Sequence, residues 1–111
     1  MSLHCVHALC LIINAMPKFA AFANHVLSIV AEETDIPEEL ILSKSRAAEV
    51  VDARHLAIKL LHSKDIYPKR IAEIFGMSPR SVHYVLTAFD GRMRLNRSLR
   101  MSYEVLKRQL S

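Results

Sequence analysis

The stretch from Pro68 to Thr87 (PKRIAEIFGMSPRSVHYVLT) limits the fold of this chain more than any other part of its sequence. Two helices that cross at a steep angle need a small residue at the crossing, and Ala72 meets that need. The turn between them needs a residue that tolerates a positive φ, and Gly76 follows four residues later. Val82, six residues further on, is apolar and fits the angle between the helices. This spacing predicts a helix-turn-helix, in which two short helices are joined by a tight turn.

The second helix of the motif has a predicted start and a predicted polar face. Ser78 is a suitable N-cap, and Pro79 suits the first helical position. Apolar side chains occupy the inward positions of the motif, namely Ile71, Ile74, Phe75, Met77, Val85 and Leu86. Hydrogen-bonding side chains occupy the outward positions of the second helix, namely Arg80, Ser81, His83, Tyr84 and Thr87. A recognition helix presents such side chains to the major groove, so DNA binding is the expected function, and an ordinary helical corner is the alternative.

The rest of the sequence favours an all-α fold. The 111 residues suffice for one domain with a single core. Glycine occurs only twice, the four prolines lie at segment boundaries, and no stretch alternates between apolar and polar residues as a strand would. We therefore expect a single helical domain of about five to six helices at residues 17–111, with the helix-turn-helix at residues 68–89 and an apolar segment at residues 1–16 before it.

The spacing of apolar residues predicts the other helices. One apolar stripe covers residues 18–33, and a short helix, capped at its start by Asp35 and Glu38, ends at Leu42. A long helix over residues 46–63 has a broad apolar stripe. Such a stripe is typical of a central scaffold helix that contacts several neighbours.

Gly91 is predicted to end the recognition helix as its C′ residue. Residues 92–111 are then expected to form a basic helix. Its first half holds four arginines, Arg92, Arg94, Arg97 and Arg100. Cations at a helix N-terminus oppose the helix dipole, a small unfavourable effect that a nearby phosphate backbone would reverse. A phosphate contact and a solubilising surface are equally consistent with this cluster.

Charge is distributed unevenly along the chain. Residues 1–52 contain three basic and seven acidic residues, a net charge of −4, whereas residues 53–111 contain twelve basic and four acidic residues, a net charge of +8. The basic half contains the helix-turn-helix. Such an asymmetry suits a polyanionic partner, although a solvated cationic face gives the same pattern.

Residues 1–16 are nearly all apolar and contain no Asp, Glu, Lys or Arg. No signal peptide is indicated, because a positive start and a clear cleavage site are lacking, and no segment of the chain is long enough to span a bilayer. One interpretation is a core or subunit-contact helix, which could support a homodimer or a protein partner. The other is an upstream extension, with the functional start of the domain close to Met16.

The same segment holds four side chains that can bind metals, His4, Cys5, His7 and Cys10. On one helix they would spread around the axis, and no second ligand pair lies at the usual distance, so no metal site is expected. Two cysteines five residues apart form no disulfide framework, and reduced thiols in the cytoplasm are the simplest interpretation.

Three runs of sequence carry a resemblance to a known family: Ile41–Arg46 (ILSKSR), Val50–Ala57 (VVDARHLA) and Ile71–Gly76 (IAEIFG). The region from Ile41 to Phe89 resembles the C-terminal DNA-binding domain of the bacterial chromosomal replication initiator DnaA, within the Trp-repressor-like helical superfamily. The resemblance implies that Lys44 and Arg46 lie on DNA, with Arg46 in the minor groove, where a narrow electronegative groove suits an arginine. It also places Arg54 near the phosphate backbone, although this arginine could equally be buried or cap a helix.

Two departures from the family pattern alter what the resemblance implies. The family carries a Gly-Arg-Asp-His-Ser/Thr-Thr-Val signature after the glycine of the motif, whereas Met77 to Val82 is one residue shorter and lacks the Asp-His pair. Base reading is therefore expected to differ from that of the initiator. The chain also has no Gly-rich phosphate loop and no room for an ATPase domain, so we expect a freestanding DNA-binding domain.

The expected function is sequence-specific binding of double-stranded DNA, in replication initiation or control or in transcription regulation, in the bacterial cytoplasm and at the nucleoid. The expected DNA-binding residues are Lys44, Arg46, Arg54, Lys69, Arg70, Ser78, Arg80, Ser81, His83, Tyr84 and Thr87. A protein-interaction module that keeps the fold without binding DNA is the alternative. Four histidines, His25, His55, His62 and His83, are dispersed without a nucleophile at convincing spacing. Neither catalysis nor a cofactor is therefore expected.

Overall fold

The computed structural model describes residues 17–110, which form six helices and no strand. The helices are α1 (Pro17–Thr34), α2 (Glu38–Ile41), α3 (Ala48–Ser63), α4 (Pro68–Phe75), α5 (Pro79–Leu95) and α6 (Arg97–Gln109). The prediction of an all-α fold is confirmed. Helices α4 and α5 form the helix-turn-helix and share a single core with the other helices.

Helix α3 is the centre of this core. It packs against α1, α2, α4, α5 and α6. Its buried side chains lie on more than one face of the helix, namely Val50, Ala53, Leu56, Ala57, Ile58, Leu60 and Leu61. Full burial of one Leu or Ile side chain stabilises a fold by about 1.5–3 kcal/mol. The prediction that this segment is the scaffold is confirmed.

The turn of the helix-turn-helix has the predicted geometry. Gly76 follows α4 in the left-handed conformation, with a φ of 63°. The amide of Met77 donates a hydrogen bond of 3.0 Å to the carbonyl of Ala72, which satisfies a carbonyl in the last turn of α4. Val82 is fully buried where α5 meets this turn. Gly76 therefore has the predicted conformation, and Ala72 and Val82 are both buried.

Helix α5 is longer than predicted, because it continues through Gly91 to Leu95. Phe89 is fully buried in its second half. Two ion pairs join this half to α3, namely Lys59–Asp90 at 2.8 Å and Asp52–Arg92. The prediction that Gly91 ends the helix is wrong, because these tertiary contacts outweigh the roughly 1 kcal/mol by which glycine disfavours a helix interior.

Helix α6 begins at Arg97 rather than at Arg92. Asn96 separates the two helices and caps the second, since its side-chain Oδ1 accepts a hydrogen bond of 3.0 Å from the amide of Leu99. Arg92 and Arg94 therefore lie in the last turn of α5, where cations stabilise the helix dipole. The predicted unfavourable placement at a helix N-terminus is wrong for these two arginines.

The remaining helix boundaries agree with the predictions to within two residues, with α3 starting at Ala48. The predicted acidic cap of α2 is wrong. Pro37 occupies its N-cap position and makes no side-chain hydrogen bond there. Asp35 instead adopts a φ of 61° directly after α1, a conformation that Asp tolerates better than most residues.

A half-buried cluster joins α3 to the second half of α5. Arg92 pairs with Asp52, its guanidinium lies 5.9 Å from the centroid of the Phe89 ring, and its Nη1 lies 3.4 Å from Nδ1 of His55. Burial, followed by the positive charges of Arg92 and Arg54, lowers the pKa of His55 to about 4, against an opposing effect of Asp52. His55 is therefore neutral at pH 7.

Replacing Gly76 by alanine is expected to lower the free energy of unfolding by about 1 kcal/mol, because an L-residue is strained at this positive φ. The new Cβ would lie 3.5 Å from Nζ of Lys44, an ordinary contact, so the loss would come from the backbone. Gly91→Ala is the matched control, and it should be neutral or stabilising because Gly91 is helical. Urea unfolding measures both changes, and equal losses at the two positions would contradict this account.

The free energy of unfolding is expected to fall as the pH drops from 6.5 to about 4, since the unfolded chain protonates His55 in this window and the folded chain does not. After discounting for partial exposure of the ring, the loss should reach at most about 2 kcal/mol. Comparison with His55→Gln by urea unfolding between pH 7 and 4 isolates this effect, because other titrating groups are shared. The stability advantage of the wild type should shrink toward acid pH, and a difference that does not change with pH would contradict the prediction.

Candidate nucleic-acid interface

Helix α5 exposes one polar face to solvent. The five outward side chains predicted from the sequence are all exposed, namely Arg80, Ser81, His83, Tyr84 and Thr87. The opposite face of the helix is buried in the core through Val82, Val85, Leu86 and Phe89. The helical period of 3.6 residues separates the two sets, so the polar face is free to meet a partner. Tyr84 is 73% exposed, which leaves its ring open to contact.

The start of α5 is fixed as the sequence predicts. Ser78 is the N-cap, and its hydroxyl accepts a hydrogen bond of 3.1 Å from the amide of Ser81. The hydroxyls of these two serines lie 2.9 Å apart. Pro79 occupies the first helical position. Both serine hydroxyls are therefore engaged with each other and with the helix start.

The other outward side chains that the sequence predicts on α5 divide into two groups. The hydroxyl of Thr87 donates a hydrogen bond of 3.1 Å to the carbonyl of His83, one turn earlier. The side chains of Arg80, His83 and Tyr84 make no hydrogen bond or ion pair with any residue in the range 17–110. These three side chains are the ones that can offer their full hydrogen-bonding capacity to a ligand.

The α2–α3 loop, residues 42–47, is held by its own serines. Ser43 Oγ donates a hydrogen bond of 2.6 Å to a backbone carbonyl of α2 and accepts one of 3.1 Å from the amide of Ser45. Ser45 Oγ accepts a bond of 3.3 Å from the amide of Ala47. Arg46 is exposed at the surface of this loop. The loop is thus a folded turn that presents one arginine to solvent.

Arg54 ties α3 to the same loop. Its Nε donates a hydrogen bond of 2.9 Å to the carbonyl of Ile41, and its Nη2 donates one of 3.0 Å to the carbonyl of Ser45. Burial lowers the pKa of Arg54 from its ordinary value, but a guanidinium in a protein stays charged at neutral pH. These bonds match the alternative in which Arg54 is partly buried and caps carbonyl groups. Its contact with a phosphate stays a prediction.

Lys44 joins the loop to the turn of the helix-turn-helix. Its Nζ donates hydrogen bonds to the carbonyl of Gly76 at 2.7 Å and to that of Phe75 at 3.2 Å. Carbonyls at the C-terminus of a helix lack partners within the helix, and a cation there also stabilises the helix dipole. The structure therefore brings the loop that carries Arg46 next to the segment from which α5 starts. Nothing in the sequence indicated this contact.

The start of α4 carries the last two predicted residues. Lys69 is exposed. Arg70 is half-buried, and its guanidinium lies 5.9 Å from the centroid of the Phe19 ring in α1. Tyr67, directly before α4, is 76% exposed and was not among the predicted DNA-binding residues. In the sequence, only its place as an aromatic residue immediately before Pro68 distinguished Tyr67.

The predictions for residues 1–16, including the contact helix and the four metal-binding side chains, lie outside the described residues. Within residues 17–110, no group of three or more His, Cys, Asp or Glu side chains could hold a metal ion. No helix in that range is both long and apolar enough to cross a membrane.

Comparison with known proteins relates this fold and surface to one family. Residues 23–87 match the family described as bacterial dnaA protein helix-turn-helix. The chain is also 30% identical over 87 residues to the chromosomal replication initiator protein DnaA of two strains of Leptospira biflexa serovar Patoc. The match covers 78% of this chain and 20% of each of these relatives, so the chain spans about a fifth of their length. The family match includes more than half of the residues of this chain, so the chain belongs to the bacterial DnaA helix-turn-helix family.

Proposed function

We propose that this chain binds double-stranded DNA in a sequence-specific manner through α4 and α5, and that it does so without catalysis. The observation that carries the proposal is the polar face of α5. Three side chains on this face, Arg80, His83 and Tyr84, are exposed and make no hydrogen bond or ion pair with other residues of the described range. Membership of a DNA-binding helix-turn-helix family supports the same reading.

In the proposed complex, the N-terminal half of α5 enters the major groove. Arg80, Ser81, His83 and Tyr84 then lie near base edges. The guanidinium of Arg80 can donate two parallel hydrogen bonds to O6 and N7 of a guanine, the commonest specific contact of this kind. Because the serine hydroxyls at the start of α5 bond to each other, we expect Ser78 and Ser81 to contribute less to base reading than Arg80 does.

Phosphate and minor-groove contacts would surround this central contact. Lys69, Arg70 and Thr87 are proposed to hold phosphates, and Arg46 is proposed to enter the minor groove, where arginines favour narrow A·T-rich segments. Lys44 and Arg54 also stay in the proposed interface. An arginine has five N–H donors, so Arg54 keeps donors free for a phosphate after its two hydrogen bonds to carbonyls, whereas Lys44 uses two of its three donors on the carbonyls of Phe75 and Gly76.

We propose that the target sequence differs from that of the initiator proteins to which the chain is similar. The segment from Met77 to Val82 forms the turn and the first residues of α5, which are the residues closest to the bases in a recognition helix. A role in replication initiation or control, or in transcription regulation, in the bacterial cytoplasm and at the nucleoid, is consistent with the family. A homodimer or protein partner would involve residues 1–16.

Selection from a random duplex library tests the function directly. We expect a defined sequence to be enriched, and any half-site spacing to appear in the same data. If about six phosphates are neutralised, binding of the selected duplex should give a slope near −5 in a plot of log K against log salt concentration. An unenriched library together with a slope near zero would overturn the proposed function.

Single substitutions separate base reading from phosphate contact. Arg80→Ala is expected to cost about 1–3 kcal/mol of binding free energy on the selected duplex and to relax the preference at one or two base pairs. Lys69→Ala should weaken binding to all duplexes alike and make the salt slope shallower by about 1. Fluorescence anisotropy with selected and scrambled duplexes measures both effects. Uniform weakening by Arg80→Ala would contradict its assignment to a base.

A further inference from the structure

We propose that Lys44 is a positioning residue, which sets the place of Arg46 relative to the start of α5 and so fixes the spacing between the minor-groove and major-groove contacts. This inference deepens the proposed DNA-binding function and rests on it. Its basis is the pattern of hydrogen bonds around the α2–α3 loop. A lysine whose role is to hold a phosphate would not need such bonds.

Lys44 is exposed, but its ammonium group is hydrogen-bonded to the protein. Two carbonyls at the end of α4 accept hydrogen bonds from it, that of Gly76 at 2.7 Å and that of Phe75 at 3.2 Å. An ammonium has three N–H donors, so these two bonds use most of its capacity. A lysine ammonium without such partners is a strongly hydrated charge on a flexible stem. Lys44 is instead tied to one place on the helix-turn-helix.

The chain is short on both sides of this contact. Arg46 follows Lys44 by two residues, and Ser78, the N-cap of α5, follows Gly76 by two residues. Two residues of extended chain span at most about 7 Å. A change at the Lys44–Gly76 contact therefore moves Arg46 relative to the residues of α5 that are proposed to read bases.

The loop also has a separate attachment to α3, which includes Ser45, the residue between Lys44 and Arg46. Arg54 holds the carbonyls of Ile41 and Ser45, which anchors the loop to α3. Among residues 17–110, Arg54 makes no hydrogen bond with the turn between α4 and α5. Loss of the Lys44 side chain would thus leave the loop attached to α3 but detached from the helix-turn-helix. The relation between the two proposed DNA contacts would then change.

A double-mutant cycle tests whether Lys44 acts through Arg46. Affinity for the selected duplex is measured for the wild type, Lys44→Met, Arg46→Ala and the double variant. Lys44→Met should weaken binding by about tenfold in the wild type but by less than about twofold when Arg46 is already alanine, because coupled residues give non-additive effects. Equal losses in the two backgrounds would mean an independent phosphate contact and would overturn the proposal.

Base analogues in the duplex separate the positioning of Arg46 from a general effect of Lys44 on the fold. Replacing A·T by diaminopurine·T places an amino group in the minor groove and leaves the major-groove pattern unchanged. At the base pair nearest Arg46, this change should weaken wild-type binding by roughly tenfold, and Lys44→Met should lose most of that sensitivity. Lys44→Arg should restore it, since a guanidinium can donate to both carbonyls.

Lys69→Met is the matched control for loss of a positive charge, because Lys69 is exposed on α4 and makes no hydrogen bond to another described residue. It should weaken binding and keep the sensitivity to diaminopurine. Unchanged sensitivity to diaminopurine in Lys44→Met would overturn the proposal, as would its loss in Lys69→Met.

A test on the free protein separates this proposal from the proposed function. Trypsin cleavage after Arg46, followed by mass spectrometry, reports how firmly the loop is held. Lys44→Met should be cleaved faster than the wild type while its thermal melting stays cooperative, and Lys44→Arg should resemble the wild type. Unchanged cleavage overturns the positioning role whatever the DNA measurements give.

If the wild type selects no duplex but Lys44→Met is cleaved faster, the proposed function and the role of Lys44 in DNA binding both fail. Only the attachment of the loop to the helix-turn-helix then stands.

Discussion

The fold depends on the burial of α3 on several sides at once. Leu56, Ile58, Leu60 and Leu61 are all at most 2% exposed, and every other helix of the described region packs against this one. A helix in that position cannot rotate without exposing apolar surface to water, because each buried Leu or Ile contributes about 1.5–3 kcal/mol. It therefore holds α4, α5 and the α2–α3 loop in place. The proposed DNA contacts come from the α2–α3 loop and from the α4–α5 pair, which are distant in sequence and are joined by α3 and by the contact of Lys44 with the turn.

Helix α3 also takes part in the ion pairs of the chain. Part of the positive charge in the C-terminal half is neutralised against α3, where Lys59 pairs with Asp90 and Arg92 pairs with Asp52. Arg94, Arg97 and Arg100 are exposed near the junction of α5 and α6. Arg94 lies fourteen residues after Arg80 on one helix, a separation of about 21 Å along the axis. This cluster is therefore distant from the start of α5, where bases would be read.

Local signals made the helix-turn-helix predictable from sequence. The positive φ of Gly76 and the N-cap of Ser78 depend on residues within one turn of each position, so their chemistry is visible in a short window. The end of α5 was not predictable in this way, because Phe89 and the ion pairs to α3 keep Gly91 helical. The contact of Lys44 with Gly76 joins residues 32 positions apart, which no local pattern encodes. The outward face of α5 was predictable from periodicity, whereas the roles of its side chains on DNA depend on a partner that the sequence does not contain.

The ion pairs at the far end of α5 bear on how a duplex would be recognised. The helix is fixed at its start by the serine cap and the turn, and fixed near its end by Asp90 and Arg92. A recognition helix attached at both ends cannot tilt or slide relative to the rest of its domain to match a groove of unusual width. The duplex must then bend or change its groove width instead, and the energy of that deformation depends on the base sequence. Such a domain would distinguish sequences partly by their stiffness, at base pairs that none of its side chains touch.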